Sequence, residues 1–363
     1  MSNPYCVFPQ LKTVVSDYEY LSLAKDSKIK KLLSRITKRV TSQQIVNTAL
    51  IDVPEYNQEA IDFYLQIFNK DKNLPYKFSS EQPPLCYSSS VEIEGGTITD
   101  VSFDSTYRPL FKKFEQDFDS YYENKKVYLR HWKHNKKSKG TALLVHGWSM
   151  GDNRLNALSL IPGYFYKLGL DCIIYELPYH GRRSVIRNGM QIPFPSSDIA
   201  MMNEGFFQSI HDLHAIYKIF KKNSDVGIIG MSMGGYIASL LSCFIKLNYV
   251  LLVVPLVSIP DAINHPLLST CQLIDNNNPL CHMSFEDLKR ITDLHSALNY
   301  SSLVPNEKKL IIGSKDDTVL SSNQIDSLLN YWQGAEVHWL KGEHQEQLHD
   351  ENAYSIIENF ILK

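Results

Sequence analysis

Between residues 141 and 340 the chain repeats one pattern: a short unbroken apolar run, then a longer stretch with helical spacing. The apolar runs are TALLVHGW (141–148), LDCIIYELP (170–178), DVGIIG (225–230), NYVLLVVPL (248–256), KKLIIGS (308–314) and AEVHWL (335–340). Between and after them lie amphipathic stretches such as MMNEGFFQSIHDLHAIYKIFKK, GYIASLLSCFIK and QIDSLLNYW, and the chain ends on HQEQLHDENAYSIIENFILK. A strand with one face in water alternates polar and apolar residues. Strands that are apolar throughout are buried on both faces, and helices must supply the cover. The pattern therefore predicts an α/β fold, a mostly parallel sheet with helices on both faces and right-handed crossovers.

Two regions depart from this rhythm. VEIEGGTITDVSF and KKVYLRHW alternate like paired strands upstream of the parallel series. Before them, residues 16–40 carry apolar positions at helical spacing. Thr41 is placed to cap a second helix through Ala49, and Pro54 to start a third over EYNQEAIDFYLQIF. Residues 259–307 intervene between two strands where one helix would suffice. An insertion of this length usually has a role of its own. It is expected to form a cap over the carboxyl edge of the sheet, where open α/β sheets bind ligands. The expected division is a helical N-terminal extension over 1–90, a core over 91–258, the cap over 259–307 and the rest of the core over 308–363.

The 363 residues carry 37 basic and 39 acidic side chains, a formal net charge of −2. That balance implies no general attraction to nucleic acid. The lysines of HWKHNKKSKG (131–140) form a local cluster and read as a loop between strands. Six cysteines without a C-x-x-C pair read as reduced thiols. Cys271 and Cys281 share one segment and could pair only in an oxidising compartment. No apolar leader opens the chain, and YVLLVVPLV is far shorter than the roughly 20 residues of a spanning helix. A cytoplasmic protein without a transmembrane segment is expected.

The chemistry concentrates at GMSMG (230–234), a G-x-S-x-G between a strand and a helix. In that context the serine sits at the apex of a sharp, strained turn, and the flanking glycines admit neighbouring chains where a Cβ would collide. Ser232 is thereby offered as a nucleophile, and the amide of Met233 faces an oxyanion position at the helix start. A serine needs a base, and the base an orienting carboxylate. His344 follows the last strand on the same sheet edge and is the expected base. His338 lies inside that strand, and His349 falls in the predicted helix. KKLIIGSKDDTVL supplies the acid after the preceding strand; spacing favours Asp316 over Asp317, with Asp261 a third choice. The second oxyanion donor is expected from the loop after TALLV, at the amide of Trp148.

HGW (146–148), LPYHGRRS (177–184), GMSMGG (230–235), GSKDDTV (313–319) and GEH (342–344) together resemble the alpha/beta-hydrolase superfamily. More narrowly, LPYHGRR followed by GMQIPFPSSDI is similar to esterase-like abhydrolase-domain proteins related to dienelactone hydrolases and acyl esterases. The resemblance covers residues 125–363. It implies a triad of Ser232, Asp316 and His344, with Met233 and Trp148 as the oxyanion hole, acting on a small-molecule ester or acyl substrate without a cofactor.

The expected activity is hydrolysis of a carboxylic ester or thioester through an acyl-enzyme. Transfer of the acyl group to an alcohol or thiol would use the same residues. A catalytically silent binding module, docking through its N-terminal helices, would not need all three. Met231, Met233 and Trp148 suggest an apolar approach to the serine, favouring acyl chains. His211 with His214, and His131 with His134, have a spacing that can ligate metal, but no third ligand is evident and no metal site is expected. Arg182 and Arg183 suit either a substrate anion or a structural ion pair.

Overall fold

The computed structural model describes residues 54–148, 150–187, 189–263 and 284–363. The two helices expected over 16–49, together with Cys6, Cys271 and Cys281, lie outside the described residues. The chain enters with helix α1 (Asn57–Asp71), which starts just after Pro54 and buries Ala60, Tyr64 and Ile67 at helical spacing. An antiparallel meander follows: β1 (Cys86–Ile93), β2 (Gly96–Asp104), a short helix α2 (Glu115–Ser120) and β3 (Lys126–His134). The expected division at 90/91 falls inside β1.

The alternating series then begins with β4 (Gly140–Val145), α3 (Asn153–Leu160), α4 (Pro162–Lys167) and β5 (Leu170–Tyr175). The break between α3 and α4 is Ile161, held in the left-handed region at φ 42° ahead of Pro162. A loop with a two-residue ladder, β6 (Ile186–Arg187) and β7 (Met190–Gln191), leads to α5 (Ile199–Phe220), β8 (Val226–Met231), α6 (Met233–Leu241) and β9 (Val250–Val253). After α7 (Ile259–Ile263) and α8 (Phe285–Thr292) the sheet resumes with β10 (Lys309–Ser314), α9 (Asn323–Tyr331), β11 (Glu336–Leu340) and α10 (Glu351–Ile361).

Among the described residues, nine strands form one sheet in the order β1-β2-β3-β5-β4-β8-β9-β10-β11. The pairs from β1 through β5 are antiparallel, and the strands from β5 through β11 run parallel. Every residue of β4, β8, β9 and β10 is buried, as unbroken apolar runs require. Two apolar cores flank the sheet. Along β8, Ile228 faces one and Ile229 the other.

Helix α5 organises one face. It carries a buried polar stripe that binds α1, β5 and the segment between β2 and β3. Glu204 accepts from Tyr64 Oη (2.6 Å), from Tyr107 Oη and from the backbone amides of Leu110 and Phe111. Gln208 bonds Asn124. Asp212 accepts from Ser105 Oγ (2.6 Å) and Tyr175 Oη (3.0 Å) and pairs with Arg183 at 2.9 Å. Buried polar groups cost free energy unless partnered, so these contacts fix α1 and the segment before β3 onto the core. The N-terminal segment from α1 onward is thus part of the same packed unit.

The described part of the 259–307 insertion is tied to that unit as well. Helix α8 packs against α1 and α7. Tyr76 Oη donates to Leu294 O, and Lys72 Nζ to Asn299 O. His295 stacks on Phe206 with ring centroids 4.4 Å apart and shares a 2.7 Å hydrogen bond with Tyr236 Oη. Among the described residues no helix is long and apolar enough to cross a membrane.

Candidate active site

The site is built from strand ends. Strand β8 delivers Ser232 at its carboxyl end with φ 55° and ψ −119°, in the positive-φ region that a side chain rarely occupies. The conformation is held from all sides. Ser232 N donates to Val253 O at 3.0 Å, and Ser232 O accepts from Gly235, Tyr236 and Leu256 amides. Strain of this kind persists only where the surroundings over-determine it. The glycines explain themselves by contact: a Cβ on Gly230 would land on Gly234 O, and one on Gly234 on Val145 O. Met233 is the first residue of α6, so its amide is among those without an intrahelical acceptor.

The loop after β4 lies against the serine, with a Cβ on Gly147 placed 3.2 Å from Ser232 Cβ. His146 anchors this loop. Its Nδ1–H donates to Gly147 O (2.8 Å), and its Nε2 accepts from Leu177 N (3.1 Å). Burial, helped by the nearby His180 ring and Arg183, pushes the His146 pKa down to about 3, so the ring is neutral and acts as a brace. His180 is braced likewise through Nδ1–H to Pro178 O, and burial lowers it to about 4. Trp148 is half-buried, and its indole N–H is buried with no partner among the described residues.

Asp317 and His344 lie in the loops after the adjacent strands β10 and β11. His344 lies in the loop after β11, and its Nδ1–H donates to Asp317 Oδ2 at 2.6 Å. The other Asp317 oxygen accepts from Val319 N (2.8 Å) and Leu320 N (2.9 Å). Burial alone would raise the Asp317 pKa; the His344 hydrogen bond and charge and the two amides outweigh it, and the net shift is downward. This corrects the expectation for Asp316. Its carboxylate points the other way and accepts from Gly342 N at 2.8 Å, which ties the β10 loop to the β11 loop. Two adjacent residues on a tight loop cannot face the same ring, and the backbone turn at 317–320 gives that position to Asp317. Asp261 is exposed on α7.

His344 Nε2 is buried and has no partner among the described residues. No hydrogen bond joins it to Ser232 Oγ in this structure; bonds of this kind are often long before substrate binds. His338 sits in β11 and meets Glu336 at 2.8 Å, while His349 lies in a short turn ahead of α10. The final helix therefore begins at Glu351, which leaves His344 in a loop.

Comparisons with known proteins bear on the family and the fold. Residues 54–265 match the family described as alpha/beta hydrolase domain containing 18. The chain belongs to that family. A protein of Mycobacterium tuberculosis strain H37Rv, described as uncharacterized, is 26% identical over 283 residues, 74% of this chain. The match spans 66% of the length of that relative. Among solved structures, acetyl xylan esterase 1 from Thermoanaerobacterium sp. JW/SL YS485 is similar with a TM-score of 0.55 at 13% identity, over 88% of this chain and 97% of that one. The acetyl xylan esterase from Paenibacillus sp. R4 reaches 0.53 at 13% identity, over 88% and 98%. These likenesses establish the alpha/beta-hydrolase fold.

Other sequence candidates resolve as structure. Arg183 is fully buried against Asp212, Tyr175 Oη and two backbone carbonyls, and Arg182 is held by Glu176 at 2.7 Å. Both arginines fasten the loop after β5. His211 bonds Pro75 O, His214 stacks on Phe78, and His134 pairs with Asp171. No metal-binding group of three is present among the described residues. Met231 and Met233 are buried in the two cores, one on each face, so the apolar approach expected from them reduces to Trp148.

Proposed function

We propose that this chain is a serine hydrolase that cleaves a carboxylic ester or thioester through Ser232, His344 and Asp317. The observation that carries the reading is the buried His344–Asp317 pair, its outer nitrogen without a partner among the described residues, on the same sheet edge as a strained serine. In this mechanism His344 Nε2 takes the proton from Ser232 Oγ as the oxygen attacks the carbonyl carbon. Asp317 holds the Nδ1–H tautomer and stabilises the imidazolium that forms. The amides of Met233 and Trp148 receive the oxyanion. The leaving group departs with the proton from His344, and water, activated by the same nitrogen, releases the acid. The solved structures of similar fold are named as acetyl xylan esterases and an S-formylglutathione hydrolase, and these titles support an ester or thioester as the substrate class. The described part of the 259–307 insertion follows the carboxyl end of β9, and in this reading it acts as a cap.

Labelling with a fluorophosphonate probe, read by intact mass, tests the reading. Wild type should gain a single adduct and Ser232→Ala none, with turnover of a p-nitrophenyl ester falling by about 10⁴-fold or more. A folded wild-type protein that takes no adduct overturns it.

A further inference from the structure

At the opposite end of the sheet from Ser232, a groove of about 800 Å³ opens on the face that α5 covers. Its origin is simple. Helix α5 ends at Phe220, and the antiparallel strands β2 and β3 extend past it. Thr97, Thr99 and Val101 alternate along β2 and form the floor. Register places Thr97 beside Lys133, and Val101 beside Tyr87 of β1. The floor therefore grades from a basic end to an apolar end.

The basic end is the lysine cluster of the β3–β4 connection. Lys133, Lys136, Lys137 and Lys139 line the groove, and none forms an ion pair with a described residue. The two carboxylates in the lining are already engaged. Asp171 accepts from His134 N and Nδ1 and from Ser138 Oγ, and Asp225 is held by Lys221 at 2.6 Å. Four lysines thus share a concave surface with one carboxylate, Asp171, that no lysine or arginine pairs, which leaves the groove with an excess of positive charge. The apolar end presents Leu85 and Tyr87, the latter 67% exposed, and Phe220 stands beside the His131 ring.

We infer that this groove binds a phosphorylated small molecule carrying a flat apolar group, the chemistry of a nucleotide. Lysine ammonium groups bind phosphate as point charges, and the Thr97 hydroxyl lies on the floor beside Lys133 as a further donor. The exposed tyrosine offers a face to a planar group. The volume falls in the range of small-ligand pockets. The chain as a whole carries a net charge of −2, so the attraction is local to a recess and does not extend over a surface that could track a nucleic acid.

Isothermal titration of the full chain with ATP, inorganic tripolyphosphate and adenosine tests the assignment. ATP should bind saturably with one site and more tightly than tripolyphosphate. Lys136→Glu with Lys137→Glu should weaken both by about tenfold or more. Tyr87→Ala should weaken ATP and leave tripolyphosphate unchanged. Ser232→Ala should bind ATP like wild type, which separates this site from the proposed catalytic one. These residues are exposed, and unchanged melting of the variants confirms that only the groove is altered. Absence of saturable ATP binding overturns the inference, as does indifference to the lysine reversal. ATP binding no tighter than tripolyphosphate also overturns it, and so does binding of RNA or of anionic vesicles without binding of either small anion.

Discussion

His344 Nδ1 lies 2.6 Å from Asp317 Oδ2, with the two side chains only 6% and 7% exposed, while the adjacent Asp316 turns away to the Gly342 amide. The two acids therefore have separable tasks. Asp317→Asn should leave the fold in place and lower turnover by about 10³- to 10⁴-fold, because the ring loses its fixed tautomer. Asp316→Ala should cost about 1 kcal/mol of stability through the lost loop hydrogen bond and less than about tenfold in rate. Steady-state kinetics and thermal melting of the two variants separate these effects. A larger rate loss at Asp316 would restore the assignment favoured by spacing.

The fold and the placement of Ser232 and His344 at strand ends were legible because each depends on local pattern. Unbroken apolar runs announced β4, β5, β8, β9 and β10, and G-x-S-x-G between strand and helix announced the turn at Ser232. The choice between Asp316 and Asp317 was not legible. It depends on which carboxylate the loop amides of Val319 and Leu320 hold, and spacing carries no information about that. The place of α1 was also hidden. Tyr64 and Glu204 lie 140 positions apart, and no local pattern signals that they meet in the core. Met231 and Met233 misled for a related reason: they flank the serine in sequence but point into opposite cores.

The glycines of the turn tolerate no side chain. A Cβ at Gly230 meets backbone of Gly234, and one at Gly234 meets backbone of Val145 and His146. Backbone cannot move aside as a flexible side chain can. Gly230→Ala and Gly234→Ala should each destabilise by about 3 kcal/mol or more. Either should also abolish fluorophosphonate labelling, even where the variant is recovered folded. Chemical denaturation gives the first quantity and intact mass the second. A variant with unchanged stability and labelling would show that the turn is looser than the contacts imply.

Arg183 and Asp212 form a buried pair at 2.9 Å with almost no exposure. Removing one partner strands the other's charge. Arg183→Met should cost about 3–5 kcal/mol, and Asp212→Asn a comparable amount, whereas the double variant should recover a substantial part. A double-mutant cycle by urea denaturation measures this coupling. Strict additivity would mean that the pair is held apart by neighbouring contacts and contributes nothing as a pair.

Acid should unfold this protein before most of its carboxylates protonate. Burial lowers the pKa of His131, His180 and His214 to about 4 and of His146 and His295 to about 3, and lowers that of His211. The unfolded chain binds these protons near pH 6.5, the folded chain only well below it. For a group with a folded pKa below its unfolded value, stability is complete above about pH 6.5 and is lost as pH falls toward the folded pKa. Glu176, Asp198 and Glu204 act in the opposite sense, since burial raises them, Asp198 to about 6. Among the described residues six histidines act in the first sense and three acids in the second, and the histidines set the expected direction. The midpoint of urea unfolding should therefore fall steadily between pH 6.5 and 4.5. Replacing His295, the ring stacked on Phe206, with Asn should lower stability at pH 7 yet flatten that slope by about one proton. A profile flat across this range would mean that water reaches these rings.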